Sequence, residues 1–413
     1  MLVEANTSTQ SAESVTRAHP DMACNIAADH FLDRAIEESA KVGARPRVAL
    51  EVTAKGGISP EGENLAVFTP EMQDIIKDHG LVLVTGEVTL PSEVNLPVRE
   101  TIVDGLWIAG YRDHLNEFSP RKDNIIVAIN RQSFDIAKGV DPGGAGDQGA
   151  MVGYATDETD ERVPLAVLVA RELTKRQFEL FESGAFDNGI RPDGKSQVTL
   201  TQIFENGRLI PRRIENLTVA VSHDPKISTR ELRQFLIKEQ IGPVLDKFGL
   251  KINEGTQLVI NGTDKPWTIY GPTADAGTTN RKLIAQAYGL EAKHGGGGWS
   301  GKDPTKVDRS GSLFARYIAK SLVDAGIVKK CEVIITYSIG RPLPHIISIN
   351  TYYTNAYGWS NEKIAELVRN NFSWTVSEMI DKLQLWQPIY TRTDTDGVLG
   401  VPDYPWERSK ELK

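Results

Sequence analysis

The strongest constraint on the fold is an order of elements that recurs along the chain. Hydrophobic periodicity predicts a helix, two strands and a further helix in each third of the sequence. Apolar residues three and four apart indicate the helices, as at Leu165, Leu168, Val169 and Leu173. This order predicts an α/β protein of the α+β type, with three similar units and mostly antiparallel sheets.

The predicted elements are distributed over the three thirds of the chain as follows. The first third has a helix over 21–41, strands over 47–53 and 81–89, a helix over 96–108 and a strand over 124–130. The middle third has a helix over 164–183 and strands over 197–204 and 209–221 around an Asn206-Gly207 turn. Its second helix opens on the capping box Ser228-Thr229-Arg230-Glu231 and runs towards Phe248. The last third has a helix over 313–325, strands over 332–337 and 345–353 and a helix over 361–372.

Two segments stand outside this order. The connection 57–80 is longer than a hairpin needs, and Thr69-Pro70-Glu71 predicts a short helix through Lys77 within an ordered insertion. The polar stretch from Met1 to Glu13 predicts a loose tail. The predicted domains therefore span 14–135 with the insertion, 143–270 and 272–406, preceded by the tail 1–13.

Composition excludes several classes of protein. The 413 residues carry 47 Lys and Arg against 55 Asp and Glu, a net charge of −8 that disfavours nucleic-acid binding. No apolar run approaches the roughly 18 residues of a membrane span, and the N-terminus lacks the apolar core of a signal peptide. Cys24 and Cys331 are too few and too distant for a disulfide framework. We expect a cytoplasmic protein with neither membrane nor nucleic-acid partner.

Positive charge is concentrated in one part of this acidic chain. Between Arg281 and Lys320 there are eight basic residues against three acidic ones, a local excess of five positive charges. A run of charge is usually a solvated face. Here it surrounds four consecutive glycines, Gly295 to Gly298, and this combination favours an anion site.

The glycine-rich segment imitates a P-loop without matching it. Gly296, Gly301 and Lys302 have the spacing of that motif, but Asp303 stands where a Ser or Thr should bind magnesium. Either the segment is a glycine-rich surface loop, or it is another kind of phosphate site. In the second case Lys302 and Lys306 supply charge and Asp308 supplies an oxygen ligand for magnesium.

A second segment imitates a dinucleotide-binding loop. The stretch from Gly144 to Gly149 matches the glycine spacing of that fingerprint, but Asp147 would place a carboxylate against the pyrophosphate. The preceding predicted strand also ends far away, near Asn130. An acidic residue among glycines better suits a cationic partner or a turn.

Two short clusters each have a structural and a functional interpretation. His19-Pro20-Asp21 is typical of a helix N-terminus, or it places a histidine against an anion and a carboxylate on a metal. Arg191-Pro192-Asp193-Gly194-Lys195 is typical of a salt-bridged hairpin entry, or it contributes charges to a site.

Together these four clusters resemble the S-adenosylmethionine synthetase (methionine adenosyltransferase) family, in the same order and over 14–406. The stretches GAGDQGAMVGYATDET at 144–159 and GGGGWSGKDPTKVDR at 295–309 carry the resemblance, with HPD at 19–21 and RPDGKSQVT at 191–199. The resemblance implies a transferase that joins L-methionine and ATP into S-adenosylmethionine and hydrolyses the released triphosphate. It also implies three related domains in pseudo-threefold arrangement, with flat sheets packed in a homodimer that shares its active sites and possibly pairs into a tetramer.

The resemblance also assigns roles to individual residues. The catalytic residues would be His19, Lys195, Arg281 and Lys302. ATP would be bound by these four together with Asp193, Trp267, Asp275, Lys282, Gly298 and Lys306. Methionine would be bound by Glu87, Gln132, Asp147, Asp275 and Lys306, two Mg²⁺ ions by Asp21 and Asp308, and K⁺ by Glu51.

Some positions depart from the family pattern. Ala18 and Asn280 stand where glycines are usual, Met22 where a lysine is usual and Pro266 where an arginine is common. The insertion 57–80 also separates Glu51 from Glu87. These departures leave two alternatives to the active synthetase: a non-catalytic nucleotide-binding regulator and a triphosphate hydrolase.

Overall fold

Three open sheets, joined by helices, form the framework of the protein. The computed structural model describes residues 7–57, 69–112, 118–132, 143–185, 189–205, 208–262 and 266–413. The strands are β1 Thr7–Val15, β2 Arg47–Lys55, β3 Leu81–Thr89, β4 Ile125–Asn130, β5 Gly149–Thr156, β6 Ile190–Glu205, β7 Arg208–His223, β8 Gln257–Ile260, β9 Gly277–Thr278, β10 Lys330–Tyr337 and β11 Ile346–Asn350. The helices are α1 Pro20–Lys41, α2 Pro70–His79, α3 Val98–Ile108, α4 Leu165–Glu182, α5 Thr229–Leu236, α6 Gly242–Lys247, α7 Gly271–Ala274, α8 Leu283–Gln286, α9 Val307–Asp324, α10 Asn361–Asn371, α11 Val376–Lys382 and α12 Tyr390–Asp396.

The sheets are mostly antiparallel, which confirms the predicted fold class. Their strand orders are β4-β3-β2-β9, β1-β6-β7-β8 and β11-β10-β5. Only the pairs β3–β4 and β7–β8 are parallel among the described strands. Two apolar cores lie beneath them, one around α1, α3 and the β2–β3 pair and a larger one around α4, α9 and the other two sheets.

The predicted loose tail is wrong from Thr7 onwards. Residues Thr7–Val15 form β1, which pairs along its whole length with β6. The strand escaped prediction because its buried face is partly polar: Ser14 bonds Thr174 at 2.9 Å, and Gln10 donates to Glu158 at 3.1 Å. Hydrogen-bonded polar side chains can be buried without an apolar pattern in the sequence.

The sheets also exchange strands between the predicted domains. β1 spans the end of the predicted tail and the first two residues of the first predicted domain, but it lies in the sheet of the second domain. β5 belongs to the second predicted domain but pairs with β10 of the third. The short β9, from the third segment, extends the sheet of the first. The colinear boundaries at 135–143 and 270–272 therefore do not separate the sheets.

Most predicted elements are confirmed within a few residues. The insertion contains α2, capped by the Thr69 side chain, while residues 58–68 lie outside the described part. The capping box at Ser228 and Glu231 is present, but a π-helical turn over Ile237–Ile241 interrupts the helix that follows. The predicted Asn206-Gly207 turn lies outside the described residues.

A close contact between β5 and α9 holds the third sheet against its helix. A Cβ atom at Gly153 would lie 2.0 Å from the carbonyl carbon of Ala315. Backbone atoms at that distance cannot be displaced without moving the helix. Glycine at this position is therefore required for the packing of the larger core.

We expect Gly153→Ala to lower the free energy of unfolding by about 1–3 kcal/mol, the usual cost of overpacking. Gly296→Ala serves as the control, since no atom lies within 4 Å of its added methyl group. Urea unfolding followed by circular dichroism measures both. Equal stability of the two variants would contradict the packing role of Gly153.

Candidate active site

A stripe of four buried polar residues on α1 organises the site. Asp21, Asn25, Asp29 and Asp33 follow one another at intervals of four and lie on one helix face, all of them buried. A buried polar group must find hydrogen-bond partners. Each residue of this polar stripe binds a different part of the last third of the chain.

The first residue of the stripe, Asp21, gathers two cations at the start of α1. It accepts from Lys282 Nζ at 2.8 Å, and Arg281 Nε lies 3.1 Å from its other oxygen. The backbone N–H of Thr278 donates to the same carboxylate at 2.9 Å. These bonds hold the pKa of Asp21 below its ordinary value despite its burial.

His19 caps the same helix and stays neutral. Its Nδ1 accepts from the backbone N–H of Asp21 at 3.2 Å, so the proton of the neutral ring lies on Nε2. Burial, together with the charges of Lys195 and Lys282, lowers the pKa of His19 to about 3. His19 can therefore donate a hydrogen bond from Nε2 without carrying a charge.

Asp193 and Lys195 reach this cluster from β6. Asp193 is buried, and its Oδ2 accepts from the backbone N–H of Gly271 at 2.9 Å. Its other oxygen has no hydrogen-bond partner among the described residues. Burial raises the pKa of Asp193 to about 6, and the nearby charge of Asp275 adds to that effect.

The glycine-rich segment lies along the edge of β2. The N–H of Leu50 donates to the carbonyl of Gly301 at 2.8 Å, and Asp303 exchanges hydrogen bonds of 2.9 Å with Val48. The third member of the polar stripe, Asp29, accepts from the N–H of Gly301 at 2.8 Å and binds Arg309 through both oxygens. The backbone beside Lys302 is thus fixed from two sides.

The lysines of this segment each bind a carboxylate. Lys302 donates to Asp308 at 2.7 Å, and Lys306 donates to the buried Asp303 at 2.6 Å. Burial raises the pKa of Asp308, although Lys302 opposes this, and the charge of Asp147 raises it further. A Cβ at Gly297 would lie 1.8 Å from an Asp308 oxygen, so the segment passes directly over this carboxylate.

A polar cavity of about 320 Å³ opens between this segment and the β2–β3 pair. Its charged lining residues are Glu51, Glu87 and Lys302. The antiparallel register places Ala49 opposite Glu87, so Glu51 and Glu87 are diagonal neighbours on one sheet face. The insertion leaves from the far end of this pair and does not separate the two carboxylates in space.

The remaining predicted residues are placed as follows. Gln132 donates its backbone N–H to the Thr89 side chain at the end of β3, and the Trp267 backbone exchanges hydrogen bonds with His223 of β7. Asp147 accepts from the following backbone N–H. The structure thus brings His19, Asp21, Arg281 and Lys282 into one cluster and Lys302, Asp308 and the cavity carboxylates into a second.

Sequence reasoning missed the residues that hold these clusters in place. Asn25 binds the backbone N–H of Asn280, and Asp29 binds Arg309 and Gly301. The signal available in the sequence was the spacing of four between Asp21, Asn25 and Asp29 on one face of the predicted helix. Such spacing indicates a polar face, but not that it is buried.

The carboxylates available for a metal are few. Across the described ranges no group of three or more His, Cys, Asp or Glu side chains is arranged to hold a metal ion. Mg²⁺ commonly takes one or two carboxylates, waters and substrate phosphates. Asp21 and Asp308 fit that pattern because each is a buried carboxylate beside a lysine that could bind phosphate. None of the described helices is long and apolar enough to cross a membrane.

Comparison with known proteins gives matches over nearly the whole chain. The family model of the S-adenosylmethionine synthetase central domain matches residues 142–266, and that of the C-terminal domain matches 269–408. The S-adenosylmethionine synthase of Syntrophobacter fumaroxidans is 37% identical over 409 residues, covering 96% of this chain and 95% of its own. The protein of the same name from Petrotoga mobilis is 37% identical over 424 residues, covering 97% and 96%.

We expect Asp193→Asn to gain stability, relative to the original protein, as the pH rises. The folded-state pKa of about 6 exceeds the ordinary value of 3.8, so the folded protein favours the protonated acid. That contribution is present below the ordinary pKa and is lost as the pH rises through 6. Asparagine stays neutral and can still accept from Gly271. The difference between the two unfolding free energies should therefore change by about 1 kcal/mol between pH 5 and pH 8.

Urea unfolding of the ligand-free protein at the two pH values measures this change. Asp224→Asn is the control, since interactions with Lys226 and Arg191 lower the pKa of Asp224, so this carboxylate is ionised in the folded and the unfolded protein at both pH values and the effect of its substitution should not change between them. A pH-independent effect of Asp193→Asn would contradict the raised pKa.

Proposed function

Since this chain belongs to the S-adenosylmethionine synthetase family, as its motifs predicted, we infer that it makes S-adenosylmethionine from L-methionine and ATP. The methionine sulfur attacks the 5′ carbon of ATP, the bond from that carbon to oxygen breaks, and triphosphate leaves. Water then cleaves triphosphate to pyrophosphate and phosphate. The observation that carries this proposal is the meeting of His19 and Asp21 with Arg281 and Lys282, about 260 positions later.

This reaction requires alignment and electrostatic stabilisation more than proton transfer. The sulfur becomes positive while the departing oxygen becomes more negative, and neither change needs a general base. In the proposed arrangement, cations and hydrogen-bond donors would face the triphosphate, and carboxylates would face the methionine. That distribution matches the two charges that develop in the transition state.

His19 is proposed to donate to the oxygen that leaves the 5′ carbon. Its neutral ring keeps the proton on Nε2 because Nδ1 is occupied by the Asp21 N–H. Burial at the start of α1 excludes water from this donor. A preorganised donor of this kind stabilises the leaving charge without having to reorient during the reaction.

The cations are proposed to bind the triphosphate from several sides. In the structure Lys282 and Arg281 bind Asp21, and Lys302 binds Asp308. Phosphate oxygens would compete for these cations and free the two carboxylates. The proposed phosphate ligands are Lys195, Arg281, Lys282, Lys302 and Lys306, with Gly298 close to the chain of phosphates.

The two freed carboxylates, Asp21 and Asp308, would hold the Mg²⁺ ions. Bound there, Mg²⁺ would neutralise part of the triphosphate charge and polarise its oxygens. Both carboxylates are buried. Asp21 accepts from the N–H of Thr278, and Asp308 lies in the first turn of α9.

The other ligands are assigned on the same basis. Asp193, Trp267 and Asp275 are proposed to hold the adenosine. Methionine is proposed to occupy the cavity between β2, β3 and Lys302, where Glu87 faces it, with contributions from Gln132, Asp147, Asp275 and Lys306. Glu51, on the same sheet face as Glu87, is the proposed K⁺ ligand.

We also propose a homodimer that shares its active sites. The sheet face with Glu51 and Glu87 is open to solvent within one chain and also carries the exposed Leu83. A second copy packed on this face would cover that leucine and close the cavity. A tetramer would add a further interface.

The two alternative functions are not favoured. The altered neighbours of His19 suggested a regulator without activity, but Ala18 and Met22 are both buried in packing positions. Ala18 accepts from the Tyr111 hydroxyl at 2.5 Å through its backbone, a contact that any residue could make. The charged residues of the site are intact, and the matched relatives are S-adenosylmethionine synthases.

We expect the purified protein to form S-adenosylmethionine from methionine, ATP and Mg²⁺, with equal amounts of pyrophosphate and phosphate. Liquid chromatography with mass spectrometry detects the sulfonium product, and coupled assays measure both phosphates. Reactions without methionine and without Mg²⁺ are the controls. The proposal would be contradicted if no sulfonium product formed and ATP were hydrolysed at the same rate with and without methionine.

We expect Lys302→Met to lower kcat at least tenfold, a loss of about 1.4 kcal/mol or more of transition-state stabilisation. Methionine has a side chain of similar length that keeps the packing, but it carries no charge and cannot bind the leaving triphosphate. Lys41→Met is the control, because Lys41 binds only the exposed end of α1 through Glu38. If steady-state kinetics of the folded variant show less than a tenfold loss, the assignment of Lys302 is wrong.

A further inference from the structure

Asn280 occupies a backbone conformation that normally belongs to glycine. Its φ is +67°, in the left-handed region, where asparagine is among the better tolerated side chains. A glycine, usual at this position in the family, would adopt the same conformation without strain. The asparagine therefore keeps the chain path and adds a side chain to it.

That side chain clamps the glycine-rich segment. Asn280 Nδ2 donates to the carbonyl of Ser300 at 3.1 Å, and the N–H of Ser300 donates to Asn280 Oδ1 at 2.8 Å. The Asn280 side-chain amide thus binds both the N–H and the carbonyl of Ser300, as the backbone of a neighbouring strand would. The Asn280 N–H is itself held by Asn25 of the polar stripe at 2.8 Å.

The contact between Asn280 and Ser300 also explains why residue 298 is a glycine. A Cβ at Gly298 would lie 2.4 Å from Asn280 Cγ, which is too close for two carbon atoms that are not bonded. Gly298 and the Asn280 side chain therefore fill the same space and depend on each other. This dependence is independent of any ligand that Gly298 might face.

The clamp joins two segments that carry the proposed phosphate ligands. Asn280 directly precedes Arg281 and Lys282, and Ser300 stands two positions before Lys302. Asn280 and Ser300 also line the cavity that holds Glu51, Glu87 and Lys302. A shift between the two segments would move cations that must face one triphosphate.

We propose that Asn280 is a positioning residue that fixes Arg281 and Lys282 relative to Lys302 through Ser300. The proposal rests on the function inferred above for this site. It assigns to this chain a contact that a glycine at position 280 cannot make. Misplacement of binding groups by about 1 Å can cost a reaction a hundredfold in rate.

The chain supplies a matched control at Asn261. That residue also has a positive φ, +43°, and its side chain clamps Val221 in the same way. Val221 N–H donates to Asn261 Oδ1 at 2.8 Å, and Asn261 Nδ2 donates to the Val221 carbonyl at 2.9 Å. Asn261→Gly therefore removes an equivalent clamp at the end of β8.

The test compares Asn280→Gly with Asn261→Gly at a temperature where circular dichroism shows both folded. We expect Asn280→Gly to lose at least tenfold in kcat, while Asn261→Gly stays within threefold of the original protein. Thermal melts should show similar destabilisation of the two. Equal kinetic losses in both variants, or a loss below threefold in Asn280→Gly, would overturn the proposal.

A double-mutant cycle on thermal stability tests the shared space of Asn280 and Gly298. Gly298→Ala should destabilise the original protein because its methyl group displaces the Asn280 amide. In the Asn280→Gly background the same methyl group has room, so the destabilisation by Gly298→Ala should be smaller there. Equal destabilisation in the two backgrounds would contradict the shared space.

Calorimetric titration with inorganic triphosphate tests positioning without the synthetase reaction. We expect Asn280→Gly to bind triphosphate at least fivefold more weakly than the original protein, and Asn261→Gly to bind it equally. If the original protein binds triphosphate in this way but forms no S-adenosylmethionine, the proposed function fails while the positioning role stands. Equal affinity of Asn280→Gly and the original protein would overturn that role.

Discussion

The structure depends on the burial of a polar helix face. The four polar side chains at intervals of four on α1 are inaccessible to water, and each would cost free energy if left unpaired. Their partners are backbone N–H groups and charged side chains from parts of the chain more than 240 positions later. The first and last thirds must therefore dock in one register, since a shifted register would leave buried carboxylates and amides without partners.

That docking also builds the site. The register that satisfies Asp21 brings Arg281 and Lys282 to His19, and the register that satisfies Asp29 brings Gly301 and the neighbouring Lys302 to the edge of β2. The hydrogen bonds that stabilise the buried polar stripe of α1 are thus the ones that position the site residues. In the structure, Arg281, Lys282 and Lys302 bind carboxylates of the same site.

The glycines of the 295–301 segment serve close contacts as much as phosphate binding. Gly297 passes over Asp308, Gly298 faces Asn280, and a Cβ at Gly301 would lie 2.0 Å from the Leu50 carbonyl oxygen. The sequence indicated an anion site here, and the charges support that interpretation. It could not show that three glycines are required by neighbouring protein atoms, because only the folded chain brings Asp308, Asn280 and Leu50 against them.

The sequence by itself determined the apolar periodicities of the main helices and strands, the antiparallel class of the sheets, and a set of motifs specific enough to identify the family. The sequence did not predict β1, because the buried face of that strand is partly polar. It also did not predict the exchange of β1, β5 and β9 between sheets, because strand partners are set by long-range packing. Only the tertiary structure decided that the polar face of α1 is buried. It also decided that Asn280 clamps Ser300, since a hydrogen bond between residues 20 positions apart depends on where both backbones are held.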